Sequence, residues 1–360
     1  MSSTNRRIGV IGVGFGALIY VPGLRSEGWE ISAICSRSRE KVAKIADTAG
    51  ITSVYTDPLE MIRRDDLDAI AITSPPSTHR DLAIAALEAG KHVLCEKPFA
   101  LNAQQAAEMR DAAQRSGLTA MVDHEFRYSP QRAYIKELLV NNYIGNFRLC
   151  TAELFLDRYV SEQPRPLTWL SSRSEGGGTL GALGSHYIDA FRHWFGDIAT
   201  VSAQLASFRP EVVNTATGEI VKAETEDTFL FTLTFRGGGI ATMSASFAVT
   251  PMRGGRIVIM GENGTLIAEQ PEANPLDNGT VIASRGGSPL RELEMPAKYT
   301  PLTDPRDPRL AAFRLLVRDF TAGIDAGISP APNFADGLRC QEALDAIRES
   351  SETGRTVELA

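Results

Sequence analysis

The sequence predicts an α/β chain. An N-terminal doubly wound parallel sheet occupies residues 1–123, and a C-terminal α+β domain with a largely antiparallel open sheet occupies residues 124–360. Two observations predict it. Up to residue 123, short Ile- and Val-rich runs alternate with amphipathic stretches, which is the rhythm of right-handed βαβ units. Beyond it, longer runs of alternating polarity are separated by Gly pairs and an Asn-Gly step, as in hairpins. A chain of 360 residues is long for one domain and sufficient for two cores.

Taken in order, Arg7 to Ile11, Glu30 to Cys35, Asp68 to Ile72, Lys91 to Cys95 and Thr119 to Val122 read as short buried parallel strands. Helical patterns fall between them at Arg39 to Thr48, His79 to Ala89 and Ala103 to Ser116, with Gly90 and Gly117 where helices should end. After Asp123 a helix is expected from Gln131 to Asn141 and a strand from Asn146 to Leu156. A Pro-, Ser- and Gly-rich loop then leads to a helix from Leu180 to Phe195. Strands are expected at Thr200 to Phe208, Asp227 to Phe235, Gly239 to Val249, Arg256 to Met260 and Thr265 to Glu269. Residues 270–307 read as loop. Helices at Leu310 to Ala326 and Phe334 to Ser351 close the chain.

Gly12-Val13-Gly14-Phe15-Gly16-Ala17 follows the first strand and opens a helix. This is the G-x-G-x-x-G/A pattern, read with Ala17 at the third position. Glycine permits a tight turn and close backbone approach to a pyrophosphate, which then meets the N–H groups and dipole of the helix N-terminus. The strand–turn–helix setting makes the first domain a Rossmann dinucleotide-binding domain. About 20 residues on, where an acidic side chain would hold the ribose of NAD, stands Cys35-Ser36-Arg37-Ser38-Arg39. Ser36 and Arg37 suit a 2′-phosphate, so NADP is favoured and NAD remains an alternative.

The net charge of −7 and the absence of a basic block argue against nucleic-acid and anionic-membrane partners. Arg6-Arg7 before the apolar run Ile8 to Leu24 looks like an export signal, but its glycines are those of the nucleotide loop. Cys35, Cys95, Cys150 and Cys340 are scattered, which suits reduced thiols and a cytoplasmic protein. No metal site is expected. In Asp123-His124-Glu125-Phe126-Arg127-Tyr128, Tyr128 stands where a zinc motif would need a second histidine.

Further motifs accumulate. They are Thr73-Ser74-Pro75-Pro76-Ser77-Thr78-His79, then Gly90 to Pro98 containing Glu96-Lys97-Pro98, then Gly176-Gly177-Gly178-Thr179-Leu180, and Gly184-Ser185-His186-Tyr187-Ile188-Asp189. In this order and spacing the chain resembles, over nearly its whole length, the Gfo/Idh/MocA family of sugar and polyol oxidoreductases. The resemblance implies an NAD(P)-dependent enzyme passing hydride between nicotinamide C4 and an oxygen-bearing carbon of a sugar, polyol or related hydroxy compound. A homodimer or homotetramer is also implied.

The resemblance implies roles for particular residues. Lys97 polarises the reacting oxygen, and His186 handles the proton because imidazole titrates near neutrality. Thr73, Ser74, Pro75, His79 and Glu96 join the glycine loop around the cofactor. Glu125, Arg127, Trp169 and Asp189 are substrate-side candidates, with Asp189 also able to orient His186 from i+3. The chain departs from the family at Ala182, where an aspartate often stands four residues before the histidine. It departs again at Glu125, where an asparagine-type residue is frequent. Two other readings stay open: a non-catalytic dinucleotide-sensing regulator, to which the gap at Ala182 gives weight, and an NAD-dependent glycosidase, as some members of the family are. Net turnover, binding without turnover, and aglycone release without net reduction would separate the three.

Overall fold

The computed structural model describes residues 6–161, 163–250, 255–270 and 279–360. Six strands, β1 (Arg7–Ile11), β2 (Glu30–Cys35), β3 (Ser53–Tyr55), β4 (Ala69–Ile72), β5 (His92–Cys95) and β6 (Ala120–Val122), form one sheet in the order β3-β2-β1-β4-β5-β6. Every pairing in it is parallel. Helices α1 (Val21–Ser26), α2 (Arg39–Ala49), α3 (Pro58–Ile62), α4 (His79–Glu88) and α5 (Ala103–Ser116) connect the strands. Strand order reverses between β1 and β4, so ligands are expected at the carboxyl ends near that switch point. Downstream come α6 (Pro130–Val140), β7 (Phe147–Phe155), β8 (Arg165–Pro166), α7 (Ser185–Phe195) and β9 (Ile198–Ala206). The remaining elements are β10 (Glu211–Val213), β11 (Ile220–Lys222), β12 (Thr228–Phe235), β13 (Ile240–Ser246), β14 (Gly255–Gly261), β15 (Gly264–Gln270), β16 (Thr280–Arg285), β17 (Arg291–Leu293), α8 (Pro308–Ala326), α9 (Phe334–Thr353) and β18 (Val357–Glu358).

The chain forms two compact units. The first joins residues 6–125 to residues 304–341, and the second joins residues 126–303 to residues 342–360. The segment 304–341, which follows the second-unit stretch 126–303 in the chain, packs within the first compact unit. The reason is packing. Gly23 of α1 leaves room for Phe313 of α8, since a Cβ there would stand 2.4 Å from its ring. Tyr20 meets Phe313 at 4.4 Å between ring centroids and Trp29 stacks on Phe320. Phe334 and Leu338 of α9 join the core on which β4, β5 and α4 also pack.

In the second unit a nine-stranded sheet runs β17-β16-β15-β14-β7-β13-β12-β9-β18. Its pairings among the described residues are antiparallel except β7 with β13. Alternation sends Phe229, Phe231, Leu233 and Phe235 of β12 to one face, where α7 lays Phe191 and Phe195 against them. The other face exposes Leu149, Leu230 and Ile240. Several short elements lie outside the sequence expectation, among them α3, β8, β10, β11 and β18. β3 is a three-residue strand with one partner, and β16 and β17 lie where a loop was expected. Residues 271–278 of that expected loop fall outside the described residues.

Candidate functional site

The glycine loop occupies the carboxyl end of β1. Gly12 has φ +114°, and a Cβ there would stand 2.4 Å from Thr73 Oγ1. A Cβ on Gly16 would meet the same hydroxyl, also at 2.4 Å, and Val10 at 3.1 Å. Thr73 occupies the volume that both glycines leave, and its N–H and Oγ1 donate to the Ile11 carbonyl at 2.7 and 2.9 Å. The close strand–helix contact thus belongs to Gly16, whereas Ala17, given the third position of the motif by sequence, is only half-buried. The spacing misleads because Gly16–Tyr20 is a π turn leading into α1, one residue out of phase with an α-helical start. Around Gly14 a Cβ would meet nothing within 4 Å. This open cradle, beside the φ that only glycine adopts readily, fits a dinucleotide pyrophosphate.

The neighbouring candidates divide by burial. Ser74 Oγ bonds Thr78 Oγ1 at 2.6 Å, and Pro75 accepts from Thr78. His79 is fully buried, with Nε2 2.8 Å from the Ser74 carbonyl and Nδ1 3.2 Å from that of Phe99. Burial holds its pKa below the usual imidazole value, so it braces this loop. Arg37 is exposed just past β2, and Ser36 is half-buried beside it. Ser38 caps α2 by accepting from Lys41 N–H. Phe15, in the glycine loop, lies under the Arg309 guanidinium at 5.1 Å, which Asp307 holds at 2.7 and 2.8 Å.

Lys97 stands two residues past β5, and its N–H donates to Glu96 Oε2 at 2.9 Å. Around it Glu96 and Glu125, both site candidates by sequence, gather with Asp123 and Tyr20, which sequence did not single out. Glu96, Asp123 and Glu125 are all buried. Burial first, then the Asp123 carboxylate, pushes Glu96 well above the ordinary carboxylate range, opposed by the Lys97 ammonium. Glu125 is raised in the same way. Burial raises Asp123 to about 6, against the lowering effect of the Tyr20 hydroxyl and Lys97. Tyr20, wholly buried, is itself raised by burial and then by Asp123. No local sequence signal marks Tyr20 or Asp123, because one looks like a helix core residue and the other like a strand terminus. Among the described residues no group of three or more His, Cys, Asp or Glu side chains is arranged to hold a metal ion.

In the second unit His186 stands in the first turn of α7, its ring stacked on Phe126 at 3.7 Å and 7°. Arg132 is buried with its guanidinium 4.8 Å from the Phe126 ring and 4.5 Å from the Tyr187 ring, and its Nη1 donates to the His186 carbonyl at 3.3 Å. Asp189 accepts from Arg127 Nε and Nη2, both at 2.7 Å. Their side chains are 2% and 7% exposed, so this bidentate pair is cut off from solvent. Ala182 lies in a π turn, Leu180–Gly184, that precedes α7. The wider turn brings Gly181 as well as Ala182 behind the histidine, and neither has a polar side chain. Glu226 accepts from Leu180 N–H at 2.8 Å, and a Cβ on Gly178 would stand 2.2 Å from its carboxylate. A Cβ on Gly177 would stand 2.4 Å from the carbonyl of Trp169, which opens a short 3-10 turn. Close packing accounts for Gly177 and Gly178, and Gly176, at φ +80°, takes a turn that favours glycine.

A doubly wound sheet with an open glycine cradle at its switch point defines a Rossmann dinucleotide-binding unit, carried here with an α/β unit. Residues 6–124 match the family model described as "Oxidoreductase family, NAD-binding Rossmann fold", and residues 136–359 match "Oxidoreductase family, C-terminal alpha/beta domain". The chain belongs to the Gfo/Idh/MocA oxidoreductase family. It is 29% identical over 356 residues to an uncharacterized oxidoreductase of Synechocystis sp., covering 97% of this chain and 95% of that one. It is 29% identical over 225 residues to D-glucoside 3-dehydrogenase of Escherichia coli, covering 61% and 63% of the two chains. Levoglucosan dehydrogenase, solved in complex with NADH, has the same fold, with a TM-score of 0.88 and 23% identity over 99% of this chain and 100% of that one. No helix among the described residues is long and apolar enough to cross a membrane.

Proposed function

We propose that this protein transfers hydride between nicotinamide C4 and an oxygen-bearing carbon of a sugar, polyol or related hydroxy compound. The observation that carries the reading is Lys97 at the carboxyl edge of the sheet whose β1 end bears the glycine cradle. Lys97 donates to the reacting oxygen and stabilises alkoxide character there. His186 handles the proton, and the Phe126 stack fixes its ring plane. Asp189 and Arg127 act as positioning residues, because their paired charges tie α7 to the turn that bears Phe126. Glu125 and Trp169 remain proposed substrate contacts. The bound dinucleotide supplies the hydride acceptor or donor. The protein holds it through Gly12, Gly14, Phe15, Gly16 and Ala17, with Thr73 to Pro75, His79 and Glu96 behind them. Exposed Arg37 beside Ser36 supports NADP as the preferred form, and the relative's name supports a sugar-type substrate.

The test is a panel of sugars and polyols with NADP and NAD, followed by nicotinamide absorbance, on the wild type and on Lys97→Ala and His186→Ala. The expected result is turnover in the wild type and a loss of at least about 100-fold in each variant. Turnover in Lys97→Ala equal to wild type would remove the assignment. The exposed Leu149, Leu230 and Ile240 support a second copy on the open sheet face, and four buried free thiols support the cytoplasm. Sedimentation at several concentrations checks the former and fractionation the latter.

A further inference from the structure

Position 182 offers no carboxylate to His186, while the first unit gathers several around Lys97. The last register pair between β5 and β6 is Cys95 with Val122. Glu96 and Asp123 are the next residues on these adjacent strands, and their N–H groups continue the ladder to Ile72 O (2.9 Å) and Cys95 O (2.8 Å). Parallel strands lie about 4.8 Å apart, so both carboxyl groups enter one small volume. Glu125 follows two residues later. Exposures are 6% for Glu96, 0% for Asp123 and 3% for Glu125. Glu96 Oε1 and both Asp123 oxygens are buried, and the groups facing the Asp123 carboxylate are the Tyr20 hydroxyl and the Glu96 carboxyl themselves.

Other charged or titratable groups meet this volume from each side. Tyr20 comes from the turn before α1, Cys95 from the end of β5 with Lys97 just past it, and Arg309 from the first turn of α8, held by Asp307. Three carboxylates sharing one dry volume cannot all ionise, so the group retains a proton at neutral pH.

We infer that Glu96, Asp123 and Glu125 form with Lys97 a shared-proton unit that supplies the acid–base capacity missing at Ala182. The inference rests on the reading that Lys97 meets the reacting oxygen. In oxidation the hydroxyl O–H bond breaks and its proton passes to Lys97 Nζ, while Lys97 passes one of its own protons to a carboxylate of the group. Lys97 is an ammonium before and after. The carbon's hydrogen and its electron pair leave to the oxidised dinucleotide, and the carboxyl proton is later lost to solvent. Reduction runs the same transfers backwards. Raised carboxyl groups titrating towards neutrality, as Asp123 does near 6, suit this exchange.

The experiment compares wild type, Asp123→Asn, Glu125→Gln and Lys97→Met. It records kcat against pH for oxidation and the protonated-carboxyl infrared band of the substrate-free protein between pH 5 and 9. The wild type should show a carboxylic acid band that persists at pH 6 and fades as pH rises further. Each carboxamide variant should weaken it, lower kcat by about tenfold or more, and shift the profile's limb. Circular dichroism confirms folding, and the two variants guard against a local collapse in either one. Absence of the band in the wild type, or superimposable profiles in both carboxamide variants, overturns the shared-proton unit. Full turnover in Lys97→Met overturns the Lys97 reading and this inference with it. A dead Lys97→Met beside unchanged carboxamide variants refutes the shared-proton unit alone.

Discussion

Replacing Arg127 with Met should destabilise the second unit by about 3–5 kcal/mol, the cost of leaving one member of a buried ion pair uncompensated. The magnitude follows from the geometry. Both Arg127–Asp189 contacts are 2.7 Å, and the two side chains are 7% and 2% exposed, so little water replaces the lost guanidinium at the Asp189 carboxylate. An exposed pair of equal length would be worth no more than about 1 kcal/mol. The double variant Arg127→Met with Asp189→Leu removes both charges and fills the volume, so its loss should fall well short of the sum of the two single variants. Trp169 and Trp194 lie in the second unit and Trp29 in the first. In a Trp29→Phe background, urea unfolding followed by fluorescence therefore reports the second unit. The Arg127→Met midpoint should fall by about 1–2 M. A loss under about 1 kcal/mol, or strict additivity in the double variant, would refute the claim that this pair is sealed and coupled.

Three other outcomes follow. Arg37→Ala should weaken NADP binding by about 10- to 100-fold, the worth of a charge-assisted hydrogen bond, and leave NAD within about twofold in a fluorescence titration. Gly14→Ala should keep its melting temperature but lose dinucleotide affinity, whereas Gly16→Ala should cost about 1–3 kcal/mol through overpacking against Thr73, recovered in part by adding Thr73→Ala. Asp123 is raised from 3.8 to about 6, so its ionisation opposes folding: full stability holds below about pH 4 and is lost as pH climbs to 6. Asp123→Asn should thus be more stable than wild type at pH 8, by up to about 3 kcal/mol, with the advantage gone at pH 4 in thermal melts.

The glycine cradle, the parallel strand rhythm, Lys97 after β5 and His186 on α7 were legible because each is a local pattern. Apolar period, turn residues and motif spacing operate within a few positions of the chain. β3, β16 and β17 were not, since three to six residues beside Pro and Gly give too short a period to register.

By itself the sequence determined the two-part α/β architecture, the dinucleotide loop, the family, and the empty position at Ala182. Tertiary structure decided the rest. It placed residues 304–341 in the first unit, because Gly23 and Trp29 leave a surface that Phe313 and Phe320, nearly 300 positions away, fill. It gave the close strand–helix contact to Gly16, beside the Ala17 that the motif spacing marks, through a π turn. It sealed Asp189 against Arg127, and it brought Tyr20, Glu96, Asp123 and Glu125 around Lys97. Those pairings join residues from separate strands and helices. Their energies depend on burial and on distance in space, which the spacing of residues along a chain does not encode.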